Sequence, residues 1–217
     1  ALGAFALDAN TTGSYNTATG YQTLTTNTTG EYNAAFARYA MRFNTTGSNN
    51  TACGQGALYS NTTASNNTSV GFLSLNANTT GDRNTAVGTE ALEANTTGRR
   101  SVAVGYEALT TNTEGEFNTA VGYKSLLVNT TADHNTAVGY QALSANTTAT
   151  ENTAVGSNAL DACTTGGSNS GFGMAALGAV TTGTQNVAVG ASAGFNITTG
   201  SNNICIGKDS SAASAST

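Results

Sequence analysis

Apolar and polar positions in this chain recur with one period, 17 residues, from end to end. The clearest copy is NTAVGYQALSANTTA at 135–149. With Asn135 as position zero, the same asparagine returns at Asn16, Asn33, Asn50, Asn67, Asn84, Asn118, Asn152, Asn169, Asn186 and Asn203, and Ser101 takes its place once. Position four is glycine in every copy but one, where Ala37 stands. An uninterrupted period of this length predicts one structural rung per repeat, each stacked on the next, because a single rung has no partner against which to bury its apolar face.

Within a repeat, position three carries Val70, Val87, Val104, Val121, Val138 and Val155, with Phe36, Cys53, Phe172 and Ile206 in other copies. Position eight carries Leu58, Leu75, Leu92, Leu109, Leu126, Leu143 and Leu160. Both read as buried ranks. Positions two and seven hold small residues, such as Ala137 and Ala142, which implies close packing over them. Alternation around position three, extended by Val102 with Val104 and Val187 with Val189, has the period of two expected of a strand. No 3.6-residue apolar stripe survives, and Thr, Asn and Gly recur too often for a helix. The leucine predicts a second short strand. The Asn-Thr-Thr-Gly segment predicts the turn, with Gly30, Gly81 and Gly115 supplying positive φ. The fold class expected is therefore all-β, a parallel β-solenoid (β-roll or β-helix) of about twelve rungs over 1–207, followed by a Ser/Ala-rich tail or linker at 208–217.

Composition changes this picture little, since its biases follow from the repeat. Pro and Trp are absent, 26 residues are Gly and only 9% are charged. Low charge with 38% hydrophobic residues does not suit a disordered chain. A net charge of −5 with seven scattered Lys and Arg argues against nucleic-acid binding. No run approaches the ~18 apolar residues of a membrane helix, so membrane insertion is not expected. The chain starts in mid-repeat and reads as an excerpt or a processed product.

The candidate chemistry is sparse. His134 is the only histidine, which removes histidine triads and multi-histidine metal sites within one chain. Acidic residues do not pair at a repeating interval, and no glycine-rich phosphate loop precedes a helix. Cys53, Cys163 and Cys205 occupy three different positions of the repeat and read as tolerated small apolar substitutions, not a disulfide framework. No catalytic residue, metal or cofactor is expected. Asn10, Asn27, Asn44, Asn61, Asn78, Asn95, Asn129 and Asn146 all satisfy the N-glycosylation sequon at position eleven, as Asn49, Asn66, Asn67 and Asn196 do elsewhere. The same asparagines equally suit an internal amide ladder, and glycans on rungs about 5 Å apart would collide. Aromatics at position five (Tyr106, Tyr123, Tyr140) predict stacked columns. Phe36, Arg38, Met41 and Phe43 crowd one irregular unit, read as local repacking. Thr pairs such as Thr79 with Thr80 leave one outward rank, which admits an ice-binding face as a further alternative.

NTAVGYQAL, NTAVGYKSL and SVAVGYEAL, each followed by an NTTG-like turn, resemble the repeats in shafts of phage-type tail-fibre proteins. The SVAVG and NVAVG cores also resemble the head repeats of trimeric autotransporter adhesins, although those units are shorter than 17. The resemblance covers Gly3 to Gly207 and implies a non-catalytic, extracellular fibre segment of a virion or cell-surface appendage, assembled as a trimer, with cell-surface glycans or another receptor bound through other segments. One Val and one Leu per rung make a thin core, which independently favours a homo-oligomer. The alternative is a self-polymerising, glycosylated filament or adhesin.

Overall fold

The computed structural model describes residues 1–211. It is an all-β parallel solenoid in which each 17-residue repeat contributes one three-residue strand, from β1 (Thr17–Thr19) to β12 (Ile204–Ile206). The twelve strands form a single sheet in strict sequence order, every neighbour parallel. Register advances by one whole repeat per step, so that Thr136, Ala137 and Val138 pair with Thr153, Ala154 and Val155. A bridge from Leu2 to Thr19 extends the sheet ahead of β1.

Hydrogen bonds between rungs do not stop where the strands do. The Thr136 amide donates to the Asn152 carbonyl at 2.8 Å, and Gly139 donates back to Val121 at 2.8 Å. Beyond the strand, Gln141 donates to Tyr123, Leu143 to Ala159, Ala145 to Asp161 and Thr147 to Thr164, at 2.9 to 3.2 Å. Glu151 donates to Asp133 at 3.3 Å to complete the circuit. The backbone thus finds partners in the rungs above and below all the way round, as buried polar groups require.

Tight corners make this geometry. Left-handed φ recurs at three non-glycine phases of the repeat, exemplified by Gln141 (φ 52), Leu143 (φ 50) and Glu151 (φ 63). Such residues ordinarily cost about 1–2 kcal/mol each. In an extended strand Ala142 and Leu143 would point to opposite faces. The left-handed residues at positions six and eight break that alternation, and Ala142 and Leu143 are both fully buried.

Four expectations are corrected. The leucine rank is buried throughout, but the Val70, Val87, Val104, Val121, Val138 and Val155 rank is not: Val70 and Val87 are exposed and the other four half-buried. In every strand only the central residue, usually alanine, faces inward, so positions one and three lie on the outer face. A cross-section this narrow has room at that point for a small side chain only, alanine in most rungs, with Ser69 and Cys205 the largest. Secondly, the leucines sit in a turn, not in a second strand. Thirdly, positive φ falls on the position-four glycines, for example Gly173 (φ 133), and not on Gly30, Gly81 or Gly115. At Gly98, of that second set, an added Cβ would come within 2.5 Å of Asn95 Oδ1 and 2.6 Å of the Gly115 carbonyl. Ala64, Ala132 and Ala149 fill the same position in other rungs and are buried there, so the position accepts a Cβ where the neighbouring atoms shift to admit it. Fourthly, the ladder runs past 207, since Asp209 donates to Ala191 at 2.9 Å and Gly194 to Ser210 at 2.7 Å. Residues 212–217 of the expected tail lie outside the described residues.

Candidate functional site

Two files of asparagine run along the interior, and they decide how the sequon residues are used. At position eleven, each side-chain amide donates to the side-chain oxygen of the asparagine one rung earlier: Asn27 to Asn10, Asn44 to Asn27, Asn61 to Asn44, Asn78 to Asn61 and Asn95 to Asn78, at 2.7 to 3.0 Å. Asn112, which is no sequon, continues the file to Asn129 and Asn146. The second amide hydrogen goes to the carbonyl three residues on, as from Asn95 to Gly98 at 2.9 Å. Asn27 through Asn146 of this file are fully buried and Asn10, at the end, is half-buried. With both amide hydrogens engaged and no access to solvent, these side chains hold the rungs together and leave no room for a glycan.

The second file lies at position zero. Here the side-chain oxygen accepts the backbone amide of the next rung, as Asn118 does from Asn135 at 3.0 Å, while the side-chain amide donates to the position-fourteen carbonyl, as from Asn135 to Ala149 at 2.9 Å. The Ala149 carbonyl thereby receives a donor from each file, the other from Asn146 at 3.1 Å. Where Ser101 replaces asparagine, its hydroxyl accepts from Asn118 at 3.2 Å and keeps the file connected.

Outside, the rod presents distinct faces. The strand face carries positions one and three with the aromatic column beside it, where Tyr106, Tyr123 and Tyr140 stack at 5.5 and 5.2 Å with planes within 10°. A second column stacks Phe117 on His134 at 4.9 Å, with Arg100 over Phe117. Of the threonine pairs, the first hydroxyl is tied to the next rung, as from Thr79 to the Thr96 carbonyl at 3.0 Å, while Thr80 is exposed. Each pair therefore contributes one outward file of threonine, besides the threonines at position one of the strand face.

The irregular unit around residue 40 divides between interior and surface. Met41 belongs to the buried leucine rank and Phe36 to the outer strand face. Arg38 and Phe43 instead join Tyr39, Arg42, Tyr59 and Tyr21 in a surface cluster, with rings 5.0 to 6.0 Å apart and inclined at 58 to 84°. The signal was available, since Arg42 and Tyr59 are one repeat apart and so occupy one column.

Charges are few, and two ion pairs run along columns. Glu107 takes a salt bridge from Lys124 at 3.3 Å, and Glu116 from Arg99 at 3.0 Å. The hydrogen bond to Glu107 raises the Lys124 pKa and that of Tyr106. Partial burial, reinforced by Glu90 and Glu107, raises Glu93. Cys163 is buried and its thiol is pushed up to about 11 by desolvation, while Cys53 is exposed. Among the described residues no group of three His, Cys, Asp or Glu side chains is placed to hold a metal ion, and no helix is long and apolar enough to cross a membrane. Compared with known proteins, the chain matches no family model, no curated protein and no solved structure.

Proposed function

We propose that this chain is a non-catalytic structural rod, a segment of an extracellular virion fibre or cell-surface appendage, which works as a trimer of parallel solenoids. The observation that carries the reading is the closed circuit of inter-rung hydrogen bonds, reinforced by two internal asparagine files. Bending such a rod requires stretching many bonds at once, so its mechanical property is stiffness along the stacking axis. Eleven steps between twelve strands give a length of roughly 50 Å at about 4.8 Å per step.

Self-association is supported by the outer strand face. Val70, Val87, Val187, Val189 and Phe172 are exposed there, alongside the tyrosine column. A face about 50 Å long and three outward residues wide offers roughly 700 Å² in all to the two neighbouring chains of a trimer. Light scattering on the purified chain tests the proposal, with an expected mass near three times 21.6 kDa. The Val104→Glu/Val138→Glu variant is expected to yield folded monomers. A wild-type chain that stays monomeric at high concentration removes the trimer, and particles of no fixed size favour a self-polymerising filament.

A further inference from the structure

We infer that the aromatic and arginine cluster of Tyr21, Arg38, Tyr39, Arg42, Phe43 and Tyr59 is a binding site for an acidic saccharide, a pyranose carrying a carboxylate. Two guanidinium groups crowd one ring: Arg38 lies 4.4 Å and Arg42 5.1 Å from the centre of Tyr39. Arg38 donates to the Tyr39 hydroxyl at 2.9 Å and Arg42 to the Tyr59 hydroxyl at 3.0 Å. Among the described residues neither arginine has a carboxylate partner, and no Asp or Glu occurs between Glu31 and Asp82. On a chain of net charge −5 this leaves one local excess of positive charge, with donors of each guanidinium unused.

The rings supply the second half of the site. In the regular columns aromatic faces are covered by their neighbours, as in Tyr106 with Tyr123 at 10° between planes. In the cluster the rings meet at steep angles, 75° for Tyr39 with Tyr59 and 84° for Phe43 with Tyr59. The Arg42 guanidinium also lies 5.0 Å from the centre of Phe43 and 5.8 Å from that of Tyr59, so the accessible ring surface is that of Tyr21 (43% exposed) and the outer side of Phe43 (39% exposed), beside the arginines. Open aromatic faces suit the apolar face of a sugar ring, and the adjacent fork of donors suits its carboxylate. Two arginines match one anionic group far better than a phosphodiester track, which needs a run of cations. Tyr21 and Arg38 stand in the same column as Tyr106, Tyr123 and Tyr140, so the site requires that the edge of the strand face at these two rungs stay uncovered in the proposed trimer.

The test is isothermal titration of the intact chain with 3′-sialyllactose, with lactose and a thymidine oligonucleotide as comparisons. The expected result is millimolar or tighter binding of sialyllactose, at least tenfold weaker binding of lactose, and weakening with added salt. The Arg38→Gln/Arg42→Gln variant, checked for an unchanged melting curve, is expected to lose at least tenfold in sialyllactose affinity. Equal binding of the two sugars, no binding of either, tighter binding of the oligonucleotide, or an affinity that the double substitution leaves unchanged would each overturn the inference. The first three are read on the wild-type chain and do not depend on the variant folding.

Discussion

Asn146 is the last member of the position-eleven file, and Cys163 stands one repeat later where the next amide would be. The Asn146 side-chain oxygen is buried without a hydrogen-bond partner, because the Cys163 thiol donates instead to the Gly166 carbonyl at 3.1 Å. Beyond it, Val180 and Ile197 continue the rank as an apolar one. Interrupting the file in its middle is expected to be costly. Asn112→Ala strands the Asn95 oxygen and removes a donor from the Gly115 carbonyl, an expected loss of about 2–4 kcal/mol. Cys163→Asn, by contrast, moves the orphaned oxygen one rung along without removing it, and is expected to change stability by less than about 1 kcal/mol. Denaturant unfolding of both variants checks the contrast.

The buried thiol gives stability a pH dependence. Cys163 keeps its proton in the folded chain up to about 11, whereas in the unfolded chain it ionises near 9. Between those values the unfolded state holds fewer protons, so stability falls as pH rises. The loss expected across pH 9 to 11 is about 2–3 kcal/mol, and it should be absent from Cys163→Ala. In labelling at pH 8 without denaturant, only the exposed Cys53 is expected to react, since Cys205 is also buried.

Leucine and valine are expected to respond unequally to truncation. Leu109→Ala removes a fully buried side chain from the single large apolar rank of the interior, at an expected cost of about 2–4 kcal/mol. Val121→Ala trims a half-buried side chain on the outer face and should cost less than about 1 kcal/mol in the monomer. Thermal melts of dilute protein distinguish the two.

Ala37 holds φ 96 at the position that glycine fills in the other rungs. A side chain in that region is strained by roughly 1–3 kcal/mol, while glycine adds less than about 1 kcal/mol of unfolded-chain entropy. Ala37→Gly is expected to raise the melting temperature by a few degrees.

Expression in a glycosylating secretory host tests the asparagine files directly. Folded product should carry no glycan on Asn27, Asn44, Asn61, Asn78, Asn95, Asn129 or Asn146, which are fully buried. Any glycan is expected on the exposed Asn49, Asn66 or Asn196, as read by peptide mass mapping.

The repeat by itself determined the parallel stacking, the 17-residue register and the buried leucine rank, because an uninterrupted period admits one pairing in which Leu109 meets Leu126 and Asn118 meets Asn135. Stacked tyrosines at 106, 123 and 140 followed from the same register. What the sequence left open was which way each side chain points. Val and Ala alternate in the strand, and hydrophobicity alone favours putting the larger one inside. The tertiary structure puts Ala137 inside and Val138 outside, since a turn this narrow already fills its interior with Leu143 and two asparagines. Left-handed residues such as Gln141, Leu143 and Glu151 were equally hidden, because their identities answer to burial or solvent and not to φ. Their conformation is imposed by the hydrogen bonds each rung makes to its neighbours, which no single repeat contains.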